Sequence, residues 1–234
     1  MRNQNDCQIC EKKTCFLLQH CSEAWHDELM RSKSCIIYGK NQQIVKEGDL
    51  VTGVYFIQTG KVKIYKETTY RSQIVRLAKG GDILGFRSVK GKERYPISAS
   101  TFGETLVCYI DQDLLLQLMT NNAILSLRML QFYADELNKT ETRLRNMAIM
   151  TVRERIADAL LMIHESFYSD GETTLPIDFS RKDIAEIAGT YPEQVSRYVT
   201  EFKYEKLVDL VGKEIVIVQP DKLKEIVGRY DEKV

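Results

Sequence analysis

The spacing of apolar residues changes its period near Asp111, and a chain with two periods must build two kinds of module. From Cys35 to Ile110, short alternating runs are separated by glycine. Val54-Tyr55-Phe56-Ile57 leads through Gln58-Thr59-Gly60 to Lys61-Val62-Lys63-Ile64-Tyr65, where polar and apolar residues alternate. That pattern specifies strands rather than a helix, and the Gly60 turn predicts that the two runs pair as a ladder. Further strand signals lie at Gln73–Leu77, Ile97–Thr101 and Leu106–Ile110, and Gly48, Gly60, Gly80, Gly81, Gly85 and Gly103 supply turns. Many short antiparallel strands on this spacing predict a small barrel or jelly roll.

Beyond Asp111 the repeat lengthens. Leu127, Leu130, Ala134, Leu137, Glu141, Leu144 and Ala148 recur at alternating steps of three and four, the seam of a coiled coil. Two readings follow: an amphipathic helix packed on its own domain, or a helix pairing with a second copy of the chain. The length of the seam supports the second, with Glu141 as its weak spot. Further on, Arg155–His164 has the pattern of an amphipathic helix, and Phe167–Thr174 that of a polar loop. Ser180-Arg181-Lys182-Asp183 has the form of a capping box opening Ile184–Ala188. Gly189-Thr190-Tyr191 is a tight turn, and Pro192 suits the first turn of the next helix, Glu193–Lys206. Leu207–Val211, Gly212-Lys213-Glu214 and Ile215–Val218 read as a hairpin. Helix, glycine turn, helix and hairpin together predict a winged helix-turn-helix.

In the second of those helices Glu193, Ser196 and Arg197 stand at i, i+3 and i+4, so they share one face near its N-terminal end. Val195, Val199 and Phe202 give an inward apolar face. A recognition helix presents its N-terminal residues to the major groove, where Arg can pair bidentately with guanine, Glu can accept from cytosine and Ser can serve several bases. The competing reading is a solvated helix in which Glu193 caps Thr190. The preceding helix, the glycine turn and the following hairpin favour the groove.

Charge and cysteine content narrow the function classes. The chain carries 33 basic and 33 acidic residues, which argues against a polybasic nucleic-acid coat but not against a local reading head. The balance is uneven: 21 basic against 16 acidic residues through position 150, and 12 against 17 after it. No apolar stretch approaches the roughly 18 residues of a membrane span. The first ten residues lack an apolar signal region, so a soluble cytoplasmic protein without a membrane partner is expected. Only His20, His26 and His164 are present, none beside a nucleophile or in metal-ligand spacing, and no phosphate-binding loop or dinucleotide fingerprint occurs. An enzyme is not expected. Of six cysteines, Cys7, Cys10, Cys15, Cys21 and Cys35 fall early and Cys108 stands apart. In a reducing compartment such clustering points to metal or redox chemistry before structural disulfides.

Val45-Lys46-Glu47-Gly48-Asp49, Phe56-Ile57-Gln58-Thr59-Gly60-Lys61-Val62 and Gly81-Asp82-Ile83-Leu84-Gly85-Phe86 resemble the β-roll of the CRP/FNR transcription regulators. The long helix and Glu193-x-x-Ser196-Arg197 fit the same family, so the resemblance spans essentially the whole chain. It implies an α+β chain in four parts: a cysteine-containing arm over 1–21, a sensor roll of the cyclic nucleotide-binding type over 22–120, a dimerisation helix over 121–151 and a winged helix-turn-helix over 152–234. It further implies a homodimer on double-stranded DNA at a palindromic, TTGA-like operator read by Glu193, Ser196 and Arg197, with Thr190 and Lys213 on phosphates and RNA polymerase as a further partner.

For the signal, the resemblance gives two tests. Cyclic-AMP receptors hold the ribose with a Glu after the second glycine of this motif and the phosphate with an Arg-Ser pair. Here Phe86 follows Gly85 and the later stretch is Arg94-Tyr95-Pro96. Arg94 could pair with a phosphate, but the Ser and the Glu are missing and Pro96 stiffens the segment. Arg94 therefore reads as a surface loop residue, and cyclic AMP is not expected. FNR-type oxygen sensors hold a [4Fe–4S] cluster with three N-terminal cysteines and one from the last strand of the roll. Cys7, Cys10, Cys15 and Cys108 match that set, except that the second gap is four residues where the family has five, with Cys21 as a substitute third ligand. A zinc site or a redox disulfide from the same thiols, and a regulator sensing another small effector without a metal, stay open beside it.

Overall fold

The computed structural model describes residues 15–86, 94–167, 176–177 and 179–228. These divide into two compact units, one holding the chain through Arg71 and residues 75–137, the other residues 72–74 with the chain from Asn138 onward.

The first unit begins with a short helix, α1 (Phe16–His20), then a 3-10 turn over Glu23–Trp25 and α2 (His26–Ser32). Eight strands follow: β1 (Ser34–Tyr38), β2 (Gln43–Val45), β3 (Gly53–Thr59), β4 (Lys61–Glu67), β5 (Ser72–Lys79), β6 (Ile83–Leu84), β7 (Ser98–Thr101) and β8 (Thr105–Asp111). They form two four-stranded sheets, in the orders β1-β8-β3-β6 and β2-β7-β4-β5. The strands arise where the period-two pattern places them, but the expected β3–β4 ladder does not. β3 pairs with β8 and β6, while β4 pairs with β7. Gly60 carries the chain from one sheet to the other at φ +106°, where a Cβ would lie 2.4 Å from the Thr105 hydroxyl.

Two apolar cores explain why β3 and β8 read as nearly continuous apolar runs: each strand is buried on both faces. Ile57, Val62, Leu84, Tyr95, Ala99 and Val107 belong to one core. Val54, Phe56, Cys108 and Ile110 face the other, with Leu17 of α1 and Leu29 of α2. Asp111 ends β8 and caps α3 (Gln112–Asn121), its carboxylate accepting from the Leu114 N–H at 2.8 Å. Leu114, Leu115 and Leu118 extend the second core, as do Leu125 and Met129 of α4 (Ala123–Ile149). Glu136 of α4 is buried against Arg76, whose guanidinium also donates to the Ile83 carbonyl at 2.8 Å and lies over the Phe86 and Phe132 rings. Removing either partner would strand a buried charge, a cost of about 3–5 kcal/mol.

The second unit takes in the end of α4. Thr151 and Glu154 exchange the hydrogen bonds of a capping box, which starts α5 (Val152–Phe167) a turn earlier than its apolar spacing suggests. α5 buries Ile156, Leu160 and Ile163 against α6 (Arg181–Ala188), α7 (Pro192–Tyr204) and α8 (Pro220–Val227). Strands β10 (Val208–Val211) and β11 (Glu214–Ile217) form the expected hairpin, and β9 (Pro176–Ile177) adds a third strand beside β11. The polar loop expected after Phe167 lies outside the described residues. Among the described residues no helix is long and apolar enough to cross a membrane.

Candidate nucleic-acid interface and buried thiols

α6 opens with the capping box that its sequence predicts: the Ser180 hydroxyl accepts from the Asp183 N–H, and the Asp183 carboxylate accepts from the Ser180 N–H. Ile184, Ala185, Ile187 and Ala188 bury its inner face. Gly189 then turns the chain at φ +62°, and a Cβ there would lie 2.4 Å from the Met147 methyl. The turn is closed by the Thr190 N–H donating to the Ala185 carbonyl at 3.0 Å. Tyr191, in an extended conformation, is the N-cap of α7, with Pro192 at its first position. Thr190 is therefore not the cap, and the reading in which Glu193 only completes a Thr190 cap falls.

Val195, Val199 and Phe202 of α7 are buried, which fixes the helix's rotation. Glu193, Ser196, Arg197 and Thr200 are thereby all exposed on one face. The Ser196 hydroxyl donates to the Pro192 carbonyl at 3.0 Å, and the Thr200 hydroxyl donates to the Ser196 carbonyl at 2.9 Å. The Arg197 guanidinium lies 4.4 Å from the Tyr198 ring centre, a cation–π contact that limits its sweep. Lys213 is exposed in the β10–β11 turn, where Gly212 takes φ +62°.

Sequence spacing gives no sign of Arg153. Its guanidinium pairs with Glu201 at 2.9 Å and Glu205 at 2.7 Å and covers the Phe202 ring at 5.0 Å. Lys203 pairs with Asp209 at 2.9 Å. Arg153 and Lys203 thus offset two of the three negative charges of Glu201, Glu205 and Asp209. Glu201, the nearest of the three to Arg197 in sequence, follows it by four residues, roughly 6 Å along the helix axis.

In the first unit Cys15, Cys21, Cys35 and Cys108 are free, buried and in one apolar cluster. Cys15 and Cys21 flank α1, a helix that its own spacing does not announce. Cys35 on β1 and Cys108 on β8 stand directly opposite each other, with Sγ atoms 3.4 Å apart. The hydrogen bond from the Cys108 thiol, assisted by the Lys33 charge and opposed by burial, holds Cys35 below the ordinary thiol range. The same bond and burial push Cys108 up, and burial raises Cys21. Cys7 and Cys10 lie outside the described residues, among which no three metal-ligating side chains converge.

The roll's other candidate positions are occupied by the protein itself. Arg94 donates to the Gly48 carbonyl at 2.6 Å. Tyr95 is buried, its hydroxyl donates to the Gly53 carbonyl at 2.8 Å, and its ring would lie 3.1 Å from a Cβ at Gly85.

The profile of the cyclic nucleotide-binding domain matches residues 36–122, and that of the Crp-like helix-turn-helix domain matches residues 154–226. The chain belongs to the CRP/FNR family of transcription regulators. It is 28% identical over 200 residues to the transcriptional activatory protein AadR of Rhodopseudomonas palustris, covering 84% of this chain and 82% of that one. The fumarate and nitrate reduction regulatory protein of Vibrio cholerae is 25% identical over 226 residues, 95% of this chain and 89% of its own. In fold the regulator is similar to FixK2 of Bradyrhizobium japonicum, with a TM-score of 0.74 at 22% identity over 83% of this chain and 96% of that one. A CRP/FNR regulator is a DNA-binding protein and not an enzyme, and the helix-turn-helix match falls on the unit that carries α6 and α7.

Proposed function

We propose that the regulator acts in the cytoplasm as a homodimer, paired along α4, that reads a palindromic TTGA-like operator with two copies of α7. The observation that carries the dimer is a helix with one buried face and one bare one. Leu125, Met129 and Glu136 of α4 are buried, whereas Leu127, Leu130, Leu137 and Leu144 are 55–71% exposed. Ala134, Glu141 and Ala148 complete the same exposed row. Leaving four leucines in water forgoes about 1.5–3 kcal/mol each, which pairing with a second copy recovers. In that dimer Arg197 reads guanine, Glu193 accepts from cytosine, Ser196 serves a neighbouring base, and Thr190 and Lys213 meet phosphates. RNA polymerase is the partner through which such binding would act on transcription.

For the signal, a [4Fe–4S] cluster on Cys7, Cys10, Cys15 and Cys108 is the family's precedent. Of that set, Cys15 and Cys108 are buried in one apolar cluster, where Cys108 lies against Cys35, and Cys7 and Cys10 lie outside the described residues. The second reading, a regulator sensing another small effector without a metal cofactor, stands beside it. Cyclic AMP is not proposed, since Phe86 stands in place of the ribose-binding Glu and Tyr95 in place of the Ser of the Arg-Ser pair, while Arg94, which could pair with a phosphate, donates to the Gly48 carbonyl. Selection of bound sequences from a random duplex pool tests the DNA reading. Enrichment of paired TTGA-like half-sites is expected, and recovery of unpaired or unrelated sequences would overturn it.

A further inference from the structure

We propose that Cys35 and Cys108 are a reversible dithiol–disulfide pair, oxidised by a small neutral hydroperoxide. The pairing is written into the sheet: Cys35 and Cys108 are partners in the antiparallel β1–β8 register, 73 residues apart in sequence. Directly opposed residues in such a ladder have Cα atoms about 4.5–5.5 Å apart, inside the roughly 4.4–6.8 Å that a disulfide spans. Their Sγ atoms lie at 3.4 Å. Closing to a bond of about 2.0 Å needs side-chain rotation and no change of register. Neither sulfur has a competing cysteine in register: β8 pairs on its other side with β3, where Phe56 faces Cys108.

Both residues are buried, Cys35 at 6% exposure and Cys108 at 3%, which excludes bulky or charged oxidants and leaves a molecule of hydrogen peroxide's size. Cys35, the less buried, reacts first. Its sulfur attacks one peroxide oxygen, the O–O bond breaks, and the departing hydroxide leaves as water with the Cys35 thiol proton. Cys35 is then a sulfenic acid. Cys108 sulfur attacks Cys35 sulfur, the S–S bond forms, the S–O bond breaks, and the second oxygen leaves as water with the Cys108 proton. Two electrons pass from the thiols to the peroxide, and exchange with a dithiol reductant returns them. The pair lies in the core that also holds Leu114, Leu115, Leu118 and Met129, so the bond forms beneath α3 and the first part of α4. This proposal stands apart from the DNA reading; because it uses Cys108, the disulfide and a cluster on Cys108 exclude each other.

The test is thiol mapping of the full chain. The protein is treated with hydrogen peroxide, alkylated after denaturation, digested without reductant and analysed by mass spectrometry. A peptide linking Cys35 to Cys108, lost on treatment with dithiothreitol, is the expected result. Cys35→Ser should abolish that peptide while preserving the circular dichroism of the reduced protein, and Cys21→Ser should leave it intact. Should Cys35→Ser fail to fold, the wild-type map alone decides. Full alkylation of Cys35 and Cys108 after peroxide, or linkage of Cys108 to Cys7, Cys10 or Cys15 instead, overturns the proposal.

Discussion

Two helices of this chain hold a row of side chains out into water, and the rows differ in kind. The exposed row of α4 is leucine and alanine interrupted by Glu141; the exposed row of α7 is Glu193, Ser196, Arg197 and Thr200. An apolar row gains free energy from any dry surface of matching shape, and a second copy of the same seam supplies one. A row of hydrogen-bonding groups gains only from a surface with complementary donors and acceptors, which base edges present in the major groove. On the proposed reading, α4 meets another chain and α7 meets DNA. The difference also separates what each partner contributes, affinity between subunits in one case and sequence discrimination in the other.

Substitutions can break that division. The largest effect is expected of Leu137→Glu. A carboxylate in the paired seam would lie unpartnered in an apolar contact, costing about 3–5 kcal/mol. Light scattering should then find a monomer, with operator binding lost and the far-ultraviolet circular dichroism of each chain retained. An unchanged dimer would remove α4 from the subunit contact. A smaller effect sharpens the other half of the comparison. Lys213→Ala, in the exposed hairpin turn, should weaken binding to all sequences alike and reduce the salt slope by about one unit for each phosphate that Lys213 neutralises. A change of sequence preference in Lys213→Ala would make it a base reader.

The same two helices mark what can be read from residues alone. Local spacing suffices for α7, because Val195, Val199 and Phe202 fix its rotation and everything else on it follows from 3.6 residues per turn. The α4 seam is equally plain, since its seven positions are set by period. Pairing in the roll is not. A glycine turn between two alternating runs looks the same whether the runs pair or pass to different sheets, and only the crowding of Gly60 against Thr105 reveals the corner. Spacing fails to mark Cys35 as the partner of Cys108 for a related reason. Their contact depends on the register of two strands distant in sequence, which no local pattern encodes. Helix α1 is silent because five residues are too few to carry a periodic signal; it is held by Leu17 in the core. Arg153 is hidden too, its carboxylate partners being 48 and 52 residues downstream, at the end of another helix.

The central claim is that α7 reads sequence through Arg197, and the most direct measurement is the affinity of wild type and Arg197→Ala for a TTGA-like palindrome and for a scrambled duplex at one fixed salt concentration. Wild type should prefer the palindrome strongly. Arg197→Ala should lose about 1–3 kcal/mol per half-site on the palindrome and little on the scrambled duplex, so that discrimination collapses while the thermal midpoint of the free protein stays unchanged. Equal discrimination by the two proteins would contradict the account, because α7 would then not be the element that reads the operator.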